Sequence, residues 1–292
     1  MFWQQIVNGT TVGASYALVA VGFTMVFGVL RLTNLANGSI FLLGGYLVLM
    51  YYQMAHLNFI IALILGVLST ATVGFLLERT AIRRLRKTNA PRLSGMITTL
   101  AISTIIDNAI ILIFGSETRA FPRPADFGRV QFGDVVINRI QIYLLLAVLA
   151  IIIVVSVLVY RTKLGNSMRA IAQNLEAAKL MGINVNRVIT LTFMISAALA
   201  CFAGTMIGLY NQSIDVSLSA SVGNKTFAAA VLAGVGVIPG AIVSGLIIGI
   251  CESLVSAYIS AGYKDAISFA ILILVLLFKP AGLFGKKEIN KV

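Results

Sequence analysis

The chain has 292 residues, of which 59% are hydrophobic and 11% charged. A soluble domain carries about 45 to 50% apolar and about 25% charged residues, so the composition excludes an ordinary water-soluble protein. The formal net charge of +12 would suit nucleic acid only on a soluble basic module, and none fits between the hydrophobic runs. No nucleic-acid partner is expected, and the cations are read instead as topology markers, because Lys and Arg concentrate in loops that stay cytoplasmic.

The apolar runs are long, unbroken and rich in Leu, Ile, Val, Ala and Gly, which excludes a transmembrane barrel of short alternating strands. At about 20 residues per crossing, eight helices would use roughly 160 residues and leave enough for loops. The expected fold is all-α: one polytopic transmembrane helical bundle over residues 1–292 with about eight spans, short or re-entrant segments and a cytoplasmic helix. A multi-pass membrane protein surrounded by membrane lipid is implied.

The N-terminal run lacks the basic n-region and cleavage site of a signal peptide and is read as a retained first helix ending near Leu30. Its first cation, Arg31, follows the run and favours an extracytoplasmic N-terminus. A polar stretch, RLTNLANGS, separates it from a second run over residues 40–54, and a third covers 59–77. Arg79, Arg83, Arg84, Arg86, Lys87 and Arg92, offset only by Glu78, then mark a cytoplasmic loop. A fourth span, 94–114, leads to a connection over 115–141 whose Arg residues are nearly balanced by Glu117, Asp126 and Asp134. That connection belongs outside, and its FPRP element resists helix.

A fifth span, 142–160, returns to a second basic segment with Arg161, Lys163, Arg169, Lys179 and Arg187. A sixth, 188–210, leads outward to NQSIDVSLSASVGNK, read as an outer connection. The remaining apolar stretch, 226–278, must cross an odd number of times, because Lys279, Lys286, Lys287 and Lys291 follow it. GVGVIPG divides it into a short piece, expected to be a half-helix or re-entrant, and a longer one ending near Ala261, before a last span over 264–278. The total is seven to nine. Four G-x-x-x-G spacings, at Gly9/Gly13, Gly204/Gly208, Gly236/Gly240 and Gly245/Gly249, are read as packing positions. Cys201 and Cys251 lie in apolar runs as small packing residues, not as a metal or redox pair.

The segment KLGNSMRAIAQNLEAAKLMGINVNRV places Leu164, Met168, Ile171, Leu175 and Ala178 on one helical face, with Arg169, Gln173, Glu176 and Lys179 elsewhere. One amphipathic helix outside the membrane is expected, N-capped by Asn166 or Ser167 and ended by Gly182. Asp107 and Glu252 fall inside apolar spans, where an ionisable group is costly and is either a functional site or satisfied by neighbouring helices. Asn34, Asn37 and Ser39 lie at a Gly-containing break that can line a water-filled path. His56, the only histidine, has no ligand-spaced partners, so no metal is expected. It reads as an interfacial residue, like Tyr51, Tyr52 and Trp3, while Phe121 is a further contact position for an extracytoplasmic protein.

Glu176-Ala177-Ala178, three residues, then Gly182 resembles the EAA-x-x-x-G loop with which permeases of bacterial ABC importers dock into their ATPases. The flanking stretches NGTTVGASYALVAVGFTMVFGVLRLTNLANGSIFLLGGY, AIAQNLEAAKLMGINVNRVITLTFMISAALACFAGTMIG, GVIPGAIVSGLIIGICES and KPAGLFG resemble the LivH-type permease of branched-chain amino acid transporters, so the likeness covers nearly the whole chain. That resemblance implies a LivM-type permease partner, two cytoplasmic ATPase subunits and an extracytoplasmic substrate-binding protein. It also implies alternating access, with the helix over 167–181 as a rigid lever, and an ATPase-coupling set of Arg169, Gln173, Glu176, Ala177, Ala178, Lys179 and Gly182. The translocation-path set is Asn34, Asn37, Ser39, Asp107 and Glu252. No G-x-x-x-x-G-K-[ST] phosphate loop occurs, so energy must come from another chain, and neither cofactor nor catalysis is expected.

The chain departs from the pattern in its first polar break. Many relatives carry a His and an acid there, whereas this chain has Asn37 and Ser39. The change leaves open urea, short amides or other amino acids as solutes. An ion-coupled carrier using Asp107 or Glu252 is the alternative from another class.

Overall fold

The computed structural model describes residues 2–30, 32–88, 90–122, 128–132, 135–234, 236–279 and 282–285. Arg31, the Arg-Pro half of FPRP, Asp126, Asp134, the side chain of Arg92, Val235 of GVGVIPG, Pro280 and Ala281 of KPAGLFG, and Lys286, Lys287 and Lys291 lie outside the described residues.

Two long helices form the centre. Helix α1, Phe2–Leu30, and helix α9, Val185–Asn211, bury most of their length. Because α1 is covered nearly all round, its sequence carries no apolar stripe to read. Its closest neighbour is α11, Ile238–Tyr258. The two G-x-x-x-G pairs of α1 and α11 mate: a Cβ on Gly249 would lie 2.3 Å from the Cα of Gly13, and one on Gly13 would lie 2.9 Å from the Cα of Leu246. Contact this close substitutes dispersion and backbone packing for the hydrophobic effect, which lipid does not supply.

Around this centre stand α3, Phe59–Leu77, α5, Arg92–Phe114, α6, Arg139–Arg161, and α12, Lys264–Phe278. They are only partly covered and turn Ile, Leu and Val outward, as lipid-facing helices do. Helix α3 continues through a π-helical turn, Glu78–Ile82, into α4, Arg83–Lys87. Fully buried Glu78 takes Arg83 at 2.9 Å, Arg86 at 3.5 Å and the Thr190 hydroxyl at 2.8 Å, which pins this basic end to α9.

Among the described residues, seven helices are long and apolar enough to cross a membrane. Two more, α2, Asn37–Gln53, and α10, Ser217–Ala233, have 17 residues each and lie inside the bundle. Both differ from the sequence expectation. Asn37, Gly38 and Ser39 form the first turn of α2 instead of a loop before it. Most of NQSIDVSLSASVGNK, expected as an outer connection, is the first half of α10, so the short piece before GVGVIPG is the end of a helix and not a separate half-helix. Polar residues read as loop because water usually satisfies them; here neighbouring helices do.

Small strands tie the outer loops. β1, Arg119–Ala120, pairs with β4, Ser213–Ile214, while β2, Arg129–Phe132, and β3, Val135–Asn138, form a hairpin. Phe121 packs beneath this layer against Gly208 and is buried, so it is not the exposed contact for a second protein that its sequence position suggested.

Candidate translocation and coupling sites

The expected single helix over 167–181 is two helices. α7, Lys163–Gln173, is capped by Thr162 and not by Asn166 or Ser167; α8, Leu175–Leu180, follows at an angle set by Asn174. Asn174 sits in extended conformation (φ −153°), and its side-chain oxygen accepts from the Glu176 and Ala177 amides, both at 3.0 Å. An Asn that can cap competes with an Asn inside a helix, and here the cap wins. Gly182 (φ +79°) then closes α8, with its amide and that of Ile183 returning to the carbonyls of Lys179 and Ala178.

The pair is anchored on its apolar side by buried Met168, Ile171 and Ala178. The junction with α6 is tight, since a Cβ on Gly165 would fall 1.9 Å from the Val159 carbonyl oxygen. Arg169 turns back to that carbonyl at 2.5 Å and to Asn166 at 2.5 Å, over the ring of Tyr160. Glu176 and Lys179 pair with each other at 2.8 Å on the exposed face, where Gln173 and Ala177 are also exposed. The tip carries Leu180 and Met181, which are 88% and 82% exposed. Sequence reasoning did not single out these two, although apolar residues next to a helix-ending Gly were the available signal.

A second constellation lies at mid-depth. Asn37 donates to the Val19 carbonyl (3.3 Å), well inside α1, and its oxygen accepts from Ser196 of α9 (3.3 Å). The Ser39 hydroxyl bonds Ser103 of α5 at 2.6 Å and Ser219 of α10 at 3.0 Å, and Ser219 bonds Asp107 at 3.1 Å. Asn34 caps the turn before α2 by accepting from the Ala36 amide (3.3 Å). Three of the five translocation-path residues, Asn37, Ser39 and Asp107, therefore belong to one buried polar seam running from α1 to α5, and Asn34 lies in the turn that leads into it. Helix α5 carries it to the surface: Asp107 is half-buried with one oxygen unpartnered, and Thr104 and Asn108 are exposed beside it.

Glu252 is elsewhere. It is paired at 2.6 Å with Lys225 of α10, which also takes Asp265 of α12 at 2.7 Å and lies beside Tyr16. Lys225, 2% exposed, was missed because its stretch read as an outer loop. The signal was present: Ser221 and Lys225 are one helical turn apart, and both reach Asp265.

A polytopic bundle with a polar seam at mid-depth and an apolar-tipped element projecting from its basic end has the construction of a membrane transport protein. The comparisons agree with this class and narrow it. Residues 5–276 match the family described as branched-chain amino acid transport system / permease component. The chain is 37% identical over 303 residues to the high-affinity branched-chain amino acid transport system permease protein BraD of Pseudomonas aeruginosa, covering 100% of this chain and 98% of that one. It is 36% identical, at the same coverage, to the LivH permease of Escherichia coli. A probable LivH of Methanocaldococcus jannaschii is 31% identical over 92% of this chain and 88% of its own. The chain belongs to this family: it is a LivH-type, multi-pass permease component of a membrane transport system.

Proposed function

We propose that this chain is the permease subunit of an ATP-driven importer for branched-chain or related hydrophobic amino acids. It would pair with a second permease of LivM type, receive solute from an extracytoplasmic binding protein and be moved by two cytoplasmic ATPases. The observation that carries this reading is the α7–α8 element. It projects from the basic end of the bundle, shows Leu180 and Met181 bare, and belongs to a chain with no phosphate loop of its own. Uncovered apolar side chains at the tip of a capped helix suit a groove in another protein. The solute class follows the names of the relatives.

In this reading α8 transmits ATPase closure through its hinge at Asn174 to α7 and the inner end of α6. Glu176, Ala177, Lys179, Gly182 and Gln173 lie on or beside the docking surface. Arg169 and Ala178 act from behind it, one holding the α6 terminus and the other packed inward. The path follows Asn34 and the seam of Asn37, Ser39 and Asp107. The polar mid-face of α5, which lipid cannot satisfy, turns toward the partner permease.

Reconstitution with the ATPases and the binding protein in proteoliposomes tests the proposal. ATP-dependent uptake of labelled leucine, abolished without ATPase, is expected; uptake of urea or a short amide instead, or uptake driven by a proton gradient alone, would refute it. Asp107→Asn should lower uptake several-fold more than Leu112→Ala on the outer face of α5. Equal effects would remove Asp107 from the path.

A further inference from the structure

The Lys225–Glu252 pair lies in the wall of a cavity of about 470 Å³ among the outer ends of α1, α9, α10, α11 and α12. The volume falls within the range of small-molecule pockets, about 300 to 1,000 Å³. This cavity is distinct from the mid-depth seam, since Asn34, Asn37, Ser39 and Asp107 are not among its lining residues.

The chemistry of its walls selects a ligand. Glu252 is 9% exposed; its Oε1 holds Lys225, and the Tyr16 hydroxyl hydrogen-bonds the same carboxylate. A buried carboxylate is costly unless it is paired and hydrogen-bonded, and here both partners, Lys225 and Tyr16, belong to the cavity wall beside it. Lys225, Glu252 and Asp265 together carry one excess negative charge, and exposed Lys264 in the cavity wall brings the balance to neutral. A ligand with separated charges and no net charge matches that balance better than a simple cation or anion. Val12, Ile207 and Leu218 supply an apolar wall for a hydrocarbon side chain.

We propose that this cavity is a binding site, on the extracytoplasmic side of this chain, for a zwitterionic amino acid with an apolar side chain. Its ammonium group approaches the carboxylate of Glu252, its own carboxylate meets Lys264, and Lys225 holds Glu252 and Asp265 together. The solute class rests on the amino acid permease reading above.

The test uses the complete transporter in lipid nanodiscs without the binding protein, so that any affinity belongs to the membrane subunits. Saturable binding of labelled leucine is expected, and 4-methylpentanoate, which lacks the ammonium group, should compete at least about tenfold less well than leucine. Glu252→Gln should weaken binding by a similar factor. Ala257→Phe, at an exposed position in the wall, should block the cavity, and Lys264→Ala should weaken binding of leucine but not of leucinamide. The two exposed variants keep the test valid should Glu252→Gln fail to fold. No saturable leucine binding, equal binding in Ala257→Phe and wild type, or equal competition by 4-methylpentanoate would overturn the proposal. Cavity binding that responds to these variants in a transporter unable to take up leucine would uphold the site and refute the transport reading. Unchanged binding in a transporter that does take up leucine would do the reverse.

Discussion

Replacing Asn174 by Ala removes the one side chain that makes α8 a separate helix. Its oxygen satisfies two of the amides at the start of a helix of only six residues. Loss of a cap costs about 0.5 to 2 kcal/mol, typically about 1. A longer helix would absorb that from its remaining turns, but helices below about 12 residues are marginal in water. Helix α8 has little else holding it: Ala178 is its buried side chain, and the Glu176–Lys179 pair is exposed and contributes about 0.5 kcal/mol or less. A loss of about 1 to 2 kcal/mol lowers the ordered population roughly five- to thirtyfold relative to the frayed one. Asn174→Ala should therefore reduce solute-stimulated ATPase activity of the assembled transporter severely, with little change in thermal unfolding of the membrane bundle. Asn174→Asp, which keeps the cap and places a negative charge at the helix start, should restore most of the activity. Normal coupling in Asn174→Ala, or an Asn174→Asp variant as impaired as Asn174→Ala, would refute the role assigned to the cap.

Leu180→Ser together with Met181→Ser should weaken ATPase association with the permease, measured by co-purification, because each buried apolar side chain contributes about 1.5 to 3 kcal/mol to a contact; an unchanged yield of complex would show that the tip lies elsewhere. Gly165→Ala forces a methyl group into the Val159 carbonyl, a clash of the kind that costs about 1 to 3 kcal/mol or more. It should lower the unfolding temperature in detergent and uncouple the ATPase. Cysteine at Arg84 should react with a membrane-impermeant maleimide from the cytoplasmic side only, and cysteine at exposed His56 from the opposite side only; the reverse labelling would invert the topology.

Most of the bundle was legible because lipid imposes a simple rule. Runs long enough to cross must be helices that satisfy their own backbone, so 59–77 and 94–114 coincide with α3 and α5 to within a residue or two. The asymmetry of Lys and Arg then supplies the expected orientation, which the cysteine labelling above tests. Asn34, Asn37 and Ser39 were legible as a polar interruption, yet their role as the start of α2 was not. The groups that replace water around them, the Val19 carbonyl, Ser103, Ser196 and Ser219, come from distant parts of the chain. Lys225 was lost to the same effect: its stretch is polar enough to read as loop, and the carboxylates that allow its burial are 27 and 40 residues away in sequence.

Sequence by itself thus determined the class, the positions of most of the long helices, and the turn at Gly182, because these depend on local composition, spacing and the cost of placing polar groups in lipid. Tertiary structure alone decided that Glu252 leaves the seam for the outer cavity, that Phe121 is covered, and that the cytoplasmic element bends at Asn174. Each of those outcomes turns on which partner wins a hydrogen bond, an ion pair or a packing site. Such competitions are settled only when helices remote in sequence arrive within a few ångströms of one another.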